Sequence, residues 1–265
     1  MNTSASRLGL LGLVLLAGGT LVLGEQIDLV YFEENGGGGN PRGLYNFDAS
    51  TGNSTLRTTV SGTRRYFSFD ERPSDGMIFA AEVVTGNALW TIDIDTGGLT
   101  FECSHYLDTV ADVSFDPATD ELYGLMRNAP YGLYTIDPAS GASTFIGNVG
   151  NGVRTGMTFG PDGTLYGMRL DGTLYTIDKT TGGTTLIGGS GDYVSMVEDA
   201  DFTPDGRLFA VDWSGNLVQI DTATGHRTLV GTTGMGTGLT GVLGIPEPAA
   251  VLLLVLGAGV LLRRR

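Results

Sequence analysis

Few residues in this 265-residue chain could do chemistry, and their types narrow the choice quickly. His105 and His226 are the only histidines and Cys103 is the only cysteine. No internal disulfide can form, and a Ser-His-Asp triad or a His/Cys zinc site lacks its parts. Cys103 and His105 lie two apart and would share one face of a strand, but a small packing thiol is the plainer reading. What remains is carboxylate chemistry with a few arginines. Residues 25–245 hold 28 acidic and 11 basic side chains, a net charge of about −17. That surplus opposes nucleic acid, whose phosphates need Lys and Arg, and suits a divalent cation such as Ca2+. Asp93-Ile94-Asp95 has half of a calcium loop without the Gly and Glu that complete one, so it reads as a turn. Gly36 to Gly39 reads as a flexible loop, because no lysine follows to complete a phosphate cradle. No cofactor is expected.

The elements that must position these residues come from a repeat. Leu44-Tyr45-Asn46-Phe47-Asp48 recurs as Leu89–Asp93, Leu133–Asp137, Leu174–Asp178 and Leu217–Asp221, at spacings of 45, 44, 41 and 43 residues. Four positions after each Asp stands a glycine (Gly52, Gly97, Gly141, Gly182, Gly225). Four further on stands a large apolar residue (Leu56, Phe101, Phe145, Leu186, Leu229). The β-branched and aromatic run predicts a strand, the Asp a turn cap and the Gly a positive-φ corner. The following apolar residue is expected to return to the core.

A second hairpin precedes each of these. Met157-Thr158-Phe159-Gly160-Pro161-Asp162-Gly163 and Ala200-Asp201-Phe202-Thr203-Pro204-Asp205-Gly206 are its cleanest copies. Val113–Pro117 and Tyr66–Phe69 lead into longer versions. Pro fixes φ and Gly relieves it, so each is a turn with a mechanism. Four short strands per unit of about 43 residues describe a propeller blade. The expectation is therefore an all-β fold, a five-bladed β-propeller of four-stranded antiparallel blades; the fallback is an incomplete ring or a curved stack of sheets. The first unit starts at a second strand, Ile27–Phe32. Its missing strand is expected at the far end, where Gly238-Leu239-Thr240 echoes Gly156-Met157-Thr158, so that the termini exchange strands. The layout resembles bacterial propeller repeat proteins of the WD-repeat-like kind, without their Gly-His and Trp-Asp pairs.

In a propeller the first strand of each blade lines the channel. Three to five residues before each strand's Phe lie Arg64, Arg65 and Tyr66, then Asp112, Arg154, and the pair Glu198 and Asp199. This mixed charge could hold a cation or a sugar at the channel mouth; a solvated rim is the plainer reading. A glycosidase would need two carboxylates about 5–9.5 Å apart, and Asp112, Glu198 and Asp199 are the only pair-makers.

The ends read as addresses. Residues 1–24 carry Arg7 and then an apolar run from Leu8 to Leu23, the layout of a signal peptide, with cleavage after Gly19 or Gly24. An uncleaved anchor helix is the alternative. Residues 25–244 form the repeat domain. Residues 245–265 hold Pro246-Glu247-Pro248, an uncharged run to Leu262 and then Arg263-Arg264-Arg265. This tail resembles the PEP-CTERM sorting signal of exosortase substrates. The resemblance implies processing near the motif by a membrane-embedded exosortase-type enzyme, then passage to the cell surface or extracellular matrix alongside exopolysaccharide or other surface proteins. Ala249 to Leu262 spans about 21 Å as a helix, short against a hydrocarbon core of about 30 Å and suited to transient retention. The expected function is a non-enzymatic binding or scaffold propeller. The rivals are a secreted glycan- or lactone-directed hydrolase and a purely structural coat protein.

Overall fold

The computed structural model describes residues 28–33, 41–49, 51–63, 65–83, 87–105, 107, 109–128, 131–150, 152–153, 155–192, 196–232 and 239–245. The signal segment, the loop at Gly36 to Gly39, Pro246-Glu247-Pro248, the apolar run with Arg263, Arg264 and Arg265, and the candidate residues Arg64 and Arg154 lie outside the described residues. Among the described residues no helix is long and apolar enough to cross a membrane.

The chain opens with β1 (Asp28–Glu33), β2 (Gly43–Asp48) and β3 (Ser54–Thr59). Four antiparallel sheets follow, each paired in chain order. They are β4 (Arg65–Glu71) to β7 (Leu99–Ser104) through β5 (Ile78–Val83) and β6 (Ala88–Ile92), and β8 (Val110–Phe115) to β11 (Ser143–Asn148) through β9 (Leu122–Met126) and β10 (Gly132–Ile136). Then come β12 (Met157–Phe159), β13 (Leu165–Met168), β14 (Leu174–Ile177) and β15 (Thr184–Gly188), and last β16 (Val197–Phe202), β17 (Leu208–Asp212), β18 (Asn216–Ile220) and β19 (Arg227–Thr232). Finally β20 (Leu239–Ile245) returns to pair with β1, giving a fifth sheet ordered β20-β1-β2-β3. The fold is an all-β propeller of four-stranded antiparallel blades. Its inner strands touch in the cycle β4, β8, β12, β16, β20 and back to β4.

Both faces of every sheet are buried against a neighbouring sheet, so the core is five wedges rather than one centre. One holds Leu44, Tyr66, Phe69 and Ile92; another holds Tyr45, Phe47, Phe209 and Val242, joining the first sheet to the last. Aromatic pairs repeat across the wedges. Phe79 meets Phe115, Tyr123 meets Phe159 and Tyr166 meets Phe202, with ring centroids 5.3, 5.2 and 5.4 Å apart. Each such pair contributes about 0.5–1.5 kcal/mol beyond its buried area.

The repeated Asp acts as a turn cap. The Asp137 carboxylate accepts from Ala139 N–H at 2.9 Å, and Gly141 N–H donates to the Asp137 carbonyl at 2.7 Å. Gly141 has φ 74°, and a Cβ there would sit on the Ser104 carbonyl of the preceding sheet. The repeat glycine therefore does two things: it turns the hairpin and lets the corner dock on the neighbouring outer strand. Gly52 does the same against Gly231 of the last sheet.

Two sequence expectations need correcting. The apolar residue after each turn does not return to the core. Phe101, Phe145 and Leu186 are 52%, 50% and 60% exposed, because they lie on the outermost strand, which no further strand covers. Phe101 and Phe145 instead cover the edges of Trp90 and Tyr134, with centroids 5.3 and 5.2 Å apart. The closing strand pairs with β1, but in a register three residues later than the sequence echo: Val242, not Leu239, takes the place of Met157. Val242 N–H donates to Asp199 as Met157 N–H donates to Asp112, which fixes that register.

Candidate functional site

The inner edge of β4, β8, β12, β16 and β20 faces the channel, where no further strand offers carbonyl acceptors. A buried backbone N–H without an acceptor costs about 1–3 kcal/mol. Side chains supply the acceptors. Asp112 accepts from Val113 N–H of its own strand at 2.8 Å and from Met157 N–H of the next inner strand. Asp199 repeats the device with Ala200 and Val242 N–H, both at 2.8 Å. Asp70 accepts from Glu71 at 2.7 Å and Phe115 at 2.6 Å, and Asp201 from Phe202 and Gly244 at 2.8 Å. The hydroxyls of Ser68 and Ser114 take Val113 and Phe159 N–H at 2.9 and 3.2 Å. Six side chains thus stitch one blade to the next.

These bonds sort into two tiers. Ser68, Asp112, Gly156 and Asp199 occupy one; Asp70, Ser114, Thr158, Asp201 and Leu243 occupy the next. The sheet ladders agree, since Glu71, Phe115, Phe159, Phe202 and Gly244 share one rung. Three inner strands shift register just before the first tier, between Tyr66 and Ser68, Val110 and Asp112, and Val197 and Asp199. A bulge re-aims the side chain that follows it.

The electrostatics follow from crowding four carboxylates into a narrow channel, two of them buried and two half-buried at the cavity floor. Asp112 and Asp199 are 1% and 2% exposed and interact with each other across Gly156, where a Cβ would press on the Ala200 N–H and Met168. Burial pushes Asp112 up to about 7. Burial and then the Asp112 charge hold Asp199 well above the usual carboxylate range. In the second tier burial raises Asp201 to about 6, and burial with the Asp201 charge raises Asp70. Thr158 donates to Asp201 at 2.7 Å and the Ser114 hydroxyl to Asp70. Like charges this close cannot all ionise, so the cluster retains protons near neutrality.

Above the second tier the channel opens into a cavity of about 250 Å³ that all five inner strands line. Asp70, Ser114, Thr158 and Asp201 face it, with Pro73, Pro117, Pro161 and Pro204 around its lip. Among the described residues no group of three His, Cys, Asp or Glu side chains is arranged to hold a metal ion.

The sequence-derived candidates scatter. Asp112 and Asp199 come together, but beneath the cavity floor rather than on a solvated rim, because their oxygens serve backbone N–H groups. Glu198 is 5% exposed and lies 3.7 Å from Arg127 of the third sheet, across the opposite end of the channel. Arg65 is half-buried at the start of β4. Sequence reasoning missed Ser68, Asp70, Ser114, Thr158 and Asp201. Aligning β4 by its Phe69 placed Tyr66 opposite Asp112, where the hydrogen bonds place Ser68. The available signal was a polar residue at i and i+2 within an apolar run: Ser68 and Asp70, Asp112 and Ser114, Asp199 and Asp201. Cys103 is buried, its thiol donates to the Pro138 carbonyl at 3.3 Å, and burial pushes its pKa up, which disfavours the thiolate a nucleophile needs.

Comparison with known proteins bears on the architecture. A chain of the nidogen/laminin complex superposes with a TM-score of 0.54, covering 82% of this chain and 97% of that one at 9% identity. The likeness is one of fold. A chain of Kuenenia stuttgartiensis hydrazine synthase scores 0.43 at 20% identity over 62% of this chain and 47% of its own, too weak to bear on the fold. No protein-family model matches the chain, and neither does any curated protein.

Proposed function

We propose that this chain is an exported scaffold or binding protein: five blades in a closed ring, carried across the membrane by residues 1–24, held briefly by residues 245–265 and processed near Pro246-Glu247-Pro248. A propeller fold is consistent with a binding or scaffold role. The observation that carries the non-enzymatic reading is the engagement of Asp70, Asp112, Asp199 and Asp201 with backbone N–H groups of two strands each. A hydrolase would have to free these oxygens from the N–H groups that hold them. Export and matrix association rest on the signal-like start and the resemblance of the tail to exosortase substrates; exopolysaccharide and other surface proteins are the partners this implies.

The test is co-sedimentation of the purified protein with exopolysaccharide from the producing organism, with calcium and with EDTA, alongside mass spectrometry of its C-terminus from the cell surface. Retention in the pellet and a terminus near Pro248 are expected. An intact terminus at Arg265 removes the sorting reading, and absence from the pellet under both conditions removes glycan binding.

A further inference from the structure

Asp28, the first residue of β1, is the ladder partner of Ile245, the last residue of β20. The chain therefore enters and leaves the described fold side by side. They meet at the end where β4–β5, β8–β9, β12–β13 and β16–β17 reverse, the rim lined by Pro73, Pro117, Pro161 and Pro204. The register carries one step further. Each of these prolines stands two residues beyond the rung of Glu71, Phe115, Phe159 and Phe202, which Gly244 occupies in β20. Two residues beyond Gly244 is Pro246, the first residue of the Pro-Glu-Pro motif. No linker separates the closing strand from the motif.

The same rim is acidic. Every outer hairpin on it opens with an aspartate, and the inner hairpins add Asp75, Asp120 and Asp162. Its cations Arg72, Lys179 and Arg207 lie 2.5, 2.5 and 2.7 Å from Asp75, Asp116 and Asp205, so they offer little to an anionic surface.

Resting on the tail reading above, we propose that the proline-lined rim is the membrane-facing side of the anchored precursor, and that its acidic hairpins are repelled by anionic headgroups, so that cutting the tail releases the protein outright. Both apolar end segments leave from this rim, which gives them a common bilayer to enter. Strands of six residues at about 3.3 Å each set the two rims roughly 20 Å apart, about twice a Debye length in physiological salt, so only the near rim feels the surface charge.

The experiment uses the chain from residue 25 onward with Cys103→Ala, so that the tail is the one apolar end segment present, floated on phosphatidylcholine vesicles carrying spin-labelled headgroups. A fluorophore sits on Ala118→Cys at this rim or on Ser214→Cys at the β17–β18 turn of the opposite one. Quenching several-fold stronger at position 118 is expected. Equal quenching, or stronger quenching at 214, overturns the orientation while leaving the tail reading standing; a chain that does not float overturns the tail reading and this proposal with it. In a second arm, a protease site inserted after Pro248 is cut on vesicles containing phosphatidylglycerol. Departure of the protein from the floated fraction is expected, and retention that high salt does not strengthen or weaken overturns the repulsion.

Discussion

The inner edge of each sheet, facing the channel, and the outer edge, facing solvent, expose the same backbone groups but are finished with different side chains. On β4, β8 and β16 the edge N–H groups of the next strand meet carboxylates and hydroxyls from Ser68, Asp70, Asp112, Ser114, Asp199 and Asp201. On β7 and β11 the outer strand carries exposed Phe101 and Phe145, which cover Trp90 and Tyr134 of the preceding strand, and only on β19 does a carboxylate, Asp192, take an outer-edge N–H, that of Leu229 at 2.7 Å, among the described residues. Charge is inside and apolar surface outside, the reverse of the usual rule, because an edge that water cannot reach must bring its own acceptors.

The largest effect is expected from breaking the inner edge. Asp199→Ala leaves the Ala200 and Val242 N–H groups buried without acceptors and returns part of that loss by ending the repulsion with Asp112. A net loss of about 2–4 kcal/mol in urea unfolding is expected; an unchanged midpoint would show the carboxylates to be idle. Gly141→Ala should follow at about 1–3 kcal/mol, since it forces both a positive φ and a contact with the Ser104 carbonyl. Thermal unfolding would measure it, and a loss confined to a few tenths would mean the corner is not docked.

A pH titration comes next. Asp112 and its neighbours have folded pKa values raised above those of the unfolded chain, so the folded state holds protons more tightly. The contribution of Asp201 and Asp112 is complete below pH about 4 and is lost as pH rises through about 6 and about 7, and Asp70 and Asp199 act in the same direction. His105, whose pKa burial lowers, opposes them only below about pH 6.5. Stability should therefore fall by about 1 kcal/mol between pH 6.5 and 8; a flat or rising profile over that window would contradict a shared proton in the channel. The smallest effect belongs to the outer edge. Phe145→Thr removes one exposed ring contact, and a change within about 0.5 kcal/mol is expected. A loss comparable to that of Asp199→Ala would erase the contrast between the two edges.

How far each region was legible follows from how local its physics is. The outer hairpins were readable from Asp137, Gly141 and their four counterparts, because the cap and the corner are settled within six residues. The pairing of the termini was readable too, from the strand missing before Asp28. The register of β4 was not: Phe69 matches Phe115 in type, but Glu71 takes the rung of Phe115, and a Phe set two residues earlier on the same face leaves the alternation of the strand unchanged. Nor was the fate of Leu56, Phe101, Phe145, Leu186 and Leu229, because a fourth strand reads the same whether or not a fifth covers it.

The aspartates mark the boundary most clearly. From sequence alone, Asp112 and Asp199 are charges in apolar strands, and the ordinary expectation for a carboxylate is water. Composition, turn chemistry and repeat spacing determined that there would be short antiparallel strands, where they would turn and that the chain would return to its start. Only the tertiary structure decided which edge of each sheet lost its water, and hence which carboxylates became backbone acceptors sharing protons. Hydrogen-bonding demand at a strand edge depends on what lies across the channel, and those partners are more than forty residues away in the chain.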